Sequence, residues 1–429
     1  MRWLAWCLLL VVACARTNLV EADPGTLVDA SSEDSSTSDA GVARCEVVGF
    51  GTPVTYVTDT SPGAVVTGDF TGDGRIDMIV DEGATQELFT NAGGGTFRRG
   101  ALSASTANNY DRAVVGDFDR DGRLDIASQS DSLLGIDFGL PNGAFRSQLV
   151  TVATPQTNGV LATADFNGDG ALDVAFAGVT TGPGPPGELS GPVPVDFGLS
   201  VYLNAGDGTL ESPTSYATPS SISGLATGDF DGDGRVDIAA SRGDAVVIYF
   251  NPGGGTFGDA QAVTGNDGSP LSFTVADFNA DGLDDVAVLA TGGGDAGGSS
   301  QILVFLSAGG GAFGPPTVDS LAHDPAPSEI VAGDYNGDGL PDLAMAFWGA
   351  ELGGTIQPGP MAVYYNEGGG RFGGAVAYQV RDDVLSYVAR FTSADLNGDS
   401  VADLAISTAT EDYMAPDELV VLLTRCEQE

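Results

Sequence analysis

The chain has 429 residues, of which 59 are acidic and 16 basic, and its formal net charge is −43. All 16 basic residues are arginines, and this balance excludes binding to nucleic acid through neutralisation of phosphates. Apart from a short leader, no apolar stretch is long enough to cross a membrane as a helix.

The N-terminus has the features of an export signal. Arg2 is followed by an apolar stretch from Trp3 to Ala13, which is too short for a mature transmembrane helix and typical of a signal peptide. The stretch ends in Val-Val-Ala-Cys14, which resembles a bacterial lipobox. We therefore expect residues 1–13 to be a signal peptide and Cys14 to be lipidated, with simple signal cleavage as the alternative. The same resemblance, with Ala15 after the cysteine, favours the outer membrane or cell surface.

Residues 14–44 form an acidic, serine-rich segment with Ser31-Ser32-Glu33-Asp34-Ser35-Ser36 at its centre. Such a segment cannot bury a core, which predicts a disordered tether. As a coil of about 30 residues it has a mean reach of roughly 30 Å. The sequence thus predicts a domain over residues 45–429 that a lipid anchor holds close to a membrane; a secreted or periplasmic protein is the alternative.

From residue 69 onward the chain repeats one nine-residue acidic pattern seven times. Each copy has Asp at positions 1, 5 and 9, Phe, Tyr or Leu at position 2, and an oxygen-bearing side chain at position 3. A period of 48 to 64 residues between copies is typical of a propeller or another repeat array. The copies begin at Asp69, Asp117, Asp165, Asp229, Asp277, Asp334 and Asp395.

Short apolar runs flank each copy, such as Ala113–Phe118, Asp125–Ser128 and Val246–Phe250. Their length and β-branched composition indicate strands. Each unit also carries a turn of the type Asn91-Ala-Gly-Gly-Gly-Thr-Phe97 or Asn251-Pro-Gly-Gly-Gly-Thr-Phe257, which is typical of a β-hairpin. Four antiparallel strands repeated seven times predict an all-β fold, a seven-bladed β-propeller of four-stranded blades.

The two ends of the repeat region predict how the ring closes. The last unit ends after its third strand, Leu419–Thr424, and an unmatched strand, Glu46–Val57, lies at the front. The front strand would complete the last blade and remove an exposed sheet edge. Cys45 and Cys426 flank these strands, and both align with Pro252 of the fourth unit. We expect a disulfide between them, with two free thiols as the alternative.

The acidic copies offer the oxygen ligands that calcium prefers, about six to eight for each ion. Positions 1, 3 and 5 supply side-chain oxygens, position 7 a backbone carbonyl and position 9 a carboxylate, while glycine at position 6 permits the tight turn. The glutamate of an EF-hand at position 12 is absent. The predicted ligands are Asp69, Thr71, Asp73, Arg75 and Asp77; Asp117, Asp119, Asp121, Arg123 and Asp125; Asp165, Asn167, Asp169, Ala171 and Asp173; Asp229, Asp231, Asp233, Arg235 and Asp237; Asp277, Asn279, Asp281, Leu283 and Asp285; Asp334, Asn336, Asp338, Leu340 and Asp342; and Asp395, Asn397, Asp399, Val401 and Asp403.

We expect up to seven calcium ions with a structural role, because clustered carboxylates repel one another without a cation. Thr71 makes the third ligand of the first loop neutral. The seventh loop has Ser400 in place of glycine and Leu396 in place of the aromatic residue, so it should be the weakest site. The other side chains at position 2 are expected to pack between blades: Phe70, Phe118, Phe166, Phe230, Phe278 and Tyr335.

The acidic loop and the Gly-Gly-Gly-x-Phe turn together resemble the FG-GAP or VCBS repeat, the calcium-binding blade of integrin α-subunit propellers and of many bacterial surface proteins. The resemblance covers residues 46–426. It implies extracellular recognition or adhesion, with calcium on the lower face of the propeller. It names no ligand, because the fold also hosts lectins, adhesins and some polysaccharide-cleaving enzymes.

Long insertions fall between the second and third strands of four units, at residues 177–199, 290–300, 347–361 and 408–418. In a propeller they share the face opposite the acidic loops, and three of them belong to neighbouring blades. Variable loops on a rigid scaffold are common binding sites. Taken individually, each candidate is more simply interpreted as an ordinary loop residue. The candidate ligand-binding residues are His323, Asp324, Trp348, Glu351, Tyr387 and Tyr413.

These observations predict a surface-anchored, monomeric calcium-binding module that recognises an extracellular glycan or protein. A scaffold for envelope assembly is the main alternative. A polysaccharide-cleaving enzyme is the third, since paired carboxylates are plentiful. The chain has a single histidine and no recognisable nucleophile motif, so we expect no enzymatic activity.

Overall fold

The structure is a computed structural model that describes residues 46–58, 63–81, 86–101, 113–130, 133–151, 156–182, 193–243, 245–263, 269–292, 298–321, 327–347, 351–352, 355–356, 361–378, 380, 386–410 and 418–427. The predicted signal peptide, Cys14, the tether and Cys45 lie outside these residues, so the structure leaves those predictions as they stand.

Two strands precede the repeats, β1 (Glu46–Phe50) and β2 (Val54–Val57). Blades 1 to 4 follow, each an antiparallel sheet whose strands A to D run in chain order. They are β3 (Val65–Gly68), β4 (Asp77–Asp81), β5 (Gln86–Asn91) and β6 (Phe97–Ala101); β7 (Val114–Gly116), β8 (Asp125–Ser130), β9 (Leu133–Leu140) and β10 (Ala144–Thr151), with a 3₁₀ turn at Pro141–Gly143; β11 (Gln156–Ala164), β12 (Asp173–Gly182), β13 (Val193–Tyr202) and β14 (Thr214–Ala217); and β15 (Ile222–Gly228), β16 (Asp237–Arg242), β17 (Ala245–Tyr249) and β18 (Gln261–Val263).

Blade 5 has the same strand order, and blade 6 has two additional two-stranded ribbons. Blade 7 has the N-terminal strand β2 as its outer strand. Blade 5 contains β19 (Pro270–Ala276), β20 (Asp285–Gly292), β21 (Gly298–Phe305) and β22 (Thr317–Ser320). Blade 6 contains β23 (Pro327–Gly333), β24 (Asp342–Phe347), β27 (Met361–Tyr364) and β30 (Val376–Tyr378), with the ribbons β25 (Glu351–Leu352) and β26 (Thr355–Ile356), and β28 (Asn366–Gly368) and β29 (Arg371–Phe372). Blade 7 contains β31 (Ser386–Ala394), β32 (Asp403–Thr410), β33 (Glu418–Leu422) and β2, and the last strand is β34 (Thr424–Glu427).

The seven sheets form a closed ring. The innermost strand of each blade contacts that of the next, and β31 of blade 7 contacts β3 of blade 1. The predicted all-β, seven-bladed propeller is therefore confirmed.

The N-terminal strand closes the ring as predicted, but in two pieces. β2 pairs with β33 as the outer strand of blade 7, while β1 pairs with β34 in a separate ribbon. The break falls at Gly51-Thr52-Pro53, where proline cannot donate a backbone hydrogen bond. The ribbon pairs Cys426 with Val47. Because Cys45 is outside the described residues, the disulfide stays a prediction.

The core lies between blades and is built from the predicted position-2 aromatics, which are all buried. Phe166 of blade 3 meets Phe257 of the blade 4 turn, with ring centroids 5.4 Å apart. Equivalent pairs join blades 1 and 2, 4 and 5, and 5 and 6, and Phe50 of β1 fills this place beside Tyr335. Loops 1 to 6 are thus each anchored by a buried aromatic side chain, whereas the buried Leu396 takes this position in loop 7.

Two of the long insertions, which were expected to be loops, begin and end as paired strands. In blade 3, strands B and C continue to the pair Gly182–Val193, and in blade 5 they continue to Gly292–Gly298. Part of each insertion is therefore a longer hairpin arm, because extending the ladder satisfies backbone groups that a loop would leave to water. Among the described residues, no helix is long and apolar enough to cross a membrane.

Candidate metal centres

The seven acidic loops share one backbone conformation. Positions 4 and 6 are left-handed in every loop, as at Gly72 (φ 75°) and Gly74 (φ 83°) of the first. Three loops place a side-chain-bearing residue there: Arg120 (φ 59°), Ala280 (φ 59°) and Ser400 (φ 70°). Ser400 therefore preserves the turn that glycine was expected to provide, although L-residues are strained in this region.

Backbone N–H groups hold the carboxylates of positions 1 and 5. In all seven loops the N–H of position 6 donates to Oδ2 of position 1, at 2.7–2.9 Å. The N–H of position 7 donates to Oδ1 of position 5, at 2.8–3.0 Å. These bonds set the direction of both carboxylates in every loop.

The position-9 aspartates are fully buried and connect the loop to the C–D turn of the same blade. Oδ1 accepts the N–H of the first turn residue in blades 1 to 6, and in blade 7 it accepts the N–H of Thr424 at the start of β34, at 2.7–2.8 Å throughout. Oδ2 accepts the N–H of position 2 in loops 2 to 7, and the N–H of Thr71 in loop 1. Acidic loops and C–D turns therefore share one face, called here the acidic face.

Burial shifts the pKa of these aspartates upward against the opposing effect of the N–H donors. It raises the pKa of Asp173 to about 6, and it also raises the pKa of Asp77 above the ordinary aspartate value. It raises to about 7 the pKa of five others, Asp125, Asp237, Asp285, Asp342 and Asp403. Negative charge at position 9 is thus costly unless a cation balances it.

Loops 2 and 4 bring their carboxylates close enough for one cation. Asp117, Asp119 and Asp125 each offer an oxygen, with all three oxygens within 4.8 Å of one another, and the corresponding aspartates of loop 4 do the same. Calcium–oxygen distances of about 2.3–2.6 Å permit such a spacing. Oδ1 of Asp119 is buried without a hydrogen-bond partner, and burial together with Asp121 raises the pKa of Asp119. The residues present therefore fit a hard divalent cation.

One contact of the C–D turn recurs in four blades and was not predicted from the sequence. The turn asparagine reaches the preceding blade: Nδ2 of Asn251 donates to the carbonyl of Phe166, at 2.8 Å. Asn91, Asn204 and Asn366 make the same contact, and the hydroxyl of Ser307 replaces it in blade 5. The recurrence of asparagine at the first position of the turn was the available signal.

The candidate ligand-binding residues are only partly described. Glu351 lies in the ribbon β25–β26, and Tyr387 lies in β31 opposite Ala409. The other four lie outside the described residues: His323, Asp324, Trp348 and Tyr413. The predicted ligand-binding site therefore stays a prediction.

The fold and the repeated acidic loops define the class, a seven-bladed β-propeller with carboxylate clusters on one face. The FG-GAP-like repeat matches residues 69–128, 189–240, 229–288 and 289–345, which amount to half of the chain. The protein therefore belongs to the FG-GAP-like repeat family. No curated protein matches the chain.

Solved structures are similar to the chain at the level of the fold. A lectin of Agrocybe aegerita that recognises non-reducing terminal N-acetylglucosamine is 21% identical with a TM-score of 0.53, over 75% of this chain and 81% of the lectin chain. BBS1N, solved in complex with ARL6DN, is 12% identical with a TM-score of 0.51, over 88% of this chain and 97% of its own. At these identities the likeness shows a shared propeller fold.

Proposed function

We propose that the protein is a calcium-stabilised recognition module, exported and anchored by a lipid on Cys14, that binds a glycan or protein on the face opposite the acidic face. The observation that carries this proposal is the sevenfold acidic loop with one conformation and, in loops 2 and 4, convergent carboxylates. Calcium, when bound, would neutralise these carboxylates. Aspartates and Asn or Thr side chains of positions 1, 3, 5 and 9 would hold it, with the position-7 carbonyl.

Calcium would act on stability, because an ion that binds the folded protein and not the unfolded chain shifts the equilibrium toward folding. We expect a higher melting temperature in calcium than in chelator, measured by scanning calorimetry. A melting curve that stays the same after verified removal of metal would contradict the structural role of calcium.

The topology supports this choice of face, because antiparallel strands place the B–C connections at the end opposite the A–B loops. The insertions of blades 5, 6 and 7 are neighbours there. The lectin that shares the fold recognises a sugar, which supports a glycan as one ligand class for this chain. We propose no catalytic step for this face.

The test is an array of glycans and matrix proteins probed with the protein in calcium and in chelator. Binding to one ligand class supports the proposal. Deletion of residues 347–361 should then abolish binding, whereas deletion of residues 183–192 in blade 3, which is not adjacent to blades 5 to 7, is the matched control. Equal binding by both deletion variants would place the ligand elsewhere.

A further inference from the structure

Position 7 divides the acidic loops into two groups. Loops 1, 2 and 4 carry Arg75, Arg123 and Arg235, whereas the other four carry alanine, leucine or valine. Each of the three guanidinium groups makes the same two contacts. Nε donates to the carbonyl of the first C–D turn residue at 2.7–3.0 Å, and Nη2 forms an ion pair with the position-5 aspartate of its own loop. In these loops a guanidinium group thus contacts one oxygen of the position-5 carboxylate, which the sequence predicts to be a metal ligand.

The loops without arginine use a neutral donor instead. In loops 3, 5 and 6 the position-3 asparagine donates from Nδ2 to Oδ2 of the position-5 aspartate, at 2.9–3.0 Å. In loop 7, Asn397 turns toward Asp403 at 3.4 Å. These loops contain aspartates at positions 1, 5 and 9 with no cation at position 7. Loops 2 and 4 contain a fourth aspartate and the arginine. Summed over its nine residues, the formal charge is −2 in loops 1 and 2, −3 in loops 3, 4, 6 and 7, and −4 in loop 5, where Asp284 is a fourth aspartate. Only loops 1, 2 and 4 contain a counter-cation at position 7.

Arg120 of loop 2 supplies a guanidinium group to the position-5 carboxylate of loop 3. From position 4 of loop 2, its Nη2 donates to Oδ1 of Asp169 at 2.9 Å and to the carbonyl of Asp169 at 3.0 Å. Asp169 is position 5 of loop 3. The position-5 carboxylates of blades 1 to 4 therefore each contact a guanidinium group. Those of blades 5 to 7 lie in loops that contain no arginine.

We propose that Arg75, Arg120, Arg123 and Arg235 are built-in counter-cations that keep the acidic loops of blades 1 to 4 ordered without calcium, whereas the loops of blades 5 to 7 need the ion. The inference rests on the proposed binding of calcium. Uncompensated carboxylates repel at short distance, and a guanidinium group offsets this through charge-assisted hydrogen bonds. The calcium-dependent blades are the three neighbours with insertions on the opposite face, so calcium would control order beneath the proposed ligand-binding surface.

Hydrogen–deuterium exchange of the intact protein in calcium and in chelator tests this division. In chelator, amides of residues 277–285, 334–342 and 395–403 should lose more protection than those of the four other loops. The expected difference is about fivefold in rate, the factor that a partly exposed ion pair supplies. Equal loss in all seven loops would overturn the inference while calcium binding stood. No response in any loop would overturn calcium binding and this inference with it.

Two loop exchanges make the test specific. Arg123→Leu should make residues 117–125 respond to calcium like the loops of blades 5 to 7. Leu340→Arg with Asn336→Asp, which recreates the loop 4 arrangement in loop 6, should reduce the response of residues 334–342. Arg146→Leu is the matched control, because Arg146 lies over the ring of Phe138 outside the acidic loops. Identical exchange profiles in Arg123→Leu and Arg146→Leu would overturn the role of the arginine.

Discussion

Asn251 is buried at the junction of blades 3 and 4, and its amide satisfies backbone groups of both. Nδ2 donates to the carbonyls of Phe166 and Val236, at 2.8 and 3.0 Å, while Oδ1 accepts the N–H of Gly253. The Asn251 side chain thus joins its own turn, the acidic loop of its own blade and the loop of the preceding blade. The blades are held together by polar contacts at the acidic face as well as by the aromatic core.

Replacing Asn251 with alanine should lower the free energy of unfolding by about 2 kcal/mol, because two buried carbonyls lose their donor. Urea denaturation monitored by fluorescence measures the change. Thr256→Ala removes an exposed hydroxyl of the same turn and should cost less than about 0.5 kcal/mol. Equal effects of the two substitutions would show that the junction does not depend on the amide.

Ser400 occupies a left-handed position that glycine adopts without strain. Ser400→Gly should therefore raise the free energy of unfolding by about 1 kcal/mol, measured from the urea midpoint. Ala402→Gly, two residues later in the same loop and without a positive φ, should instead destabilise the protein. A lower free energy of unfolding in Ser400→Gly would mean that a contact of the hydroxyl stabilises the protein by more than the relief of strain does.

At the scale of the element, the acidic loop is a hairpin connection. Its buried position-9 carboxylate accepts backbone N–H groups from the loop and from the C–D turn. Burial raises the pKa of Asp285 to about 7, and Asp125 and Asp342 behave alike. The folded protein without metal therefore binds protons that the unfolded chain, with ordinary aspartate pKa values, releases. The stabilising contribution of these groups is present below the ordinary aspartate pKa and is lost as the pH rises through about 7.

In chelator, the protein should accordingly be more stable at about pH 5.5 than at about pH 8. In calcium the dependence should weaken or reverse, because the ion balances the ionised carboxylates and protons compete with it for the ligands. Melting temperatures measured across this range, with and without calcium, check both statements. Asp285→Asn should flatten the slope in chelator. Greater stability at the higher pH in chelator would show that the backbone donors outweigh burial.

At the scale of the whole molecule, ring closure depends on a strand from the opposite end of the chain. Tyr56 of β2 packs its ring against Phe89 and Phe97 of blade 1, and its hydroxyl accepts the N–H of Phe97 at 3.0 Å. Tyr216 of blade 3 accepts the N–H of Phe257 in the same way, at 2.8 Å. The junction between blades 7 and 1, which closes the ring, therefore has the same tyrosine contact as the junction between blades 3 and 4.

Tyr56→Phe and Tyr216→Phe should each lower the free energy of unfolding by about 1 kcal/mol, because each leaves one backbone N–H without its acceptor. Equilibrium unfolding in urea compares the two variants directly, and Tyr216→Phe serves as the control. An effect of Tyr216→Phe without an effect of Tyr56→Phe would show that the N-terminal strand does not close the ring in solution.

Much of this architecture was predictable from the sequence, because a blade is a local unit. The number of acidic copies predicts the number of blades, the apolar runs predict the strands, and the unmatched strand at Glu46–Val57 predicts closure. The aromatic residue at position 2 was correctly assigned to the interface between blades. The spacing also predicts which side chains can converge, and of the predicted ligands positions 1, 3 and 9 of loops 2 and 4 lie within 4.8 Å of one another.

The tertiary structure decided the contacts that join separate loops, turns and blades. Asn91 bonds the carbonyl of Leu396 across 305 residues, and Arg120 reaches Asp169 across 49. The buried role of Asp125 and the bond from Nε of Arg123 to the carbonyl of Gly139 also depend on the turn lying beside the loop. A repeat pattern specifies what each unit contains, whereas the direction in which a polar side chain turns depends on the neighbouring donors and acceptors that folding places around it.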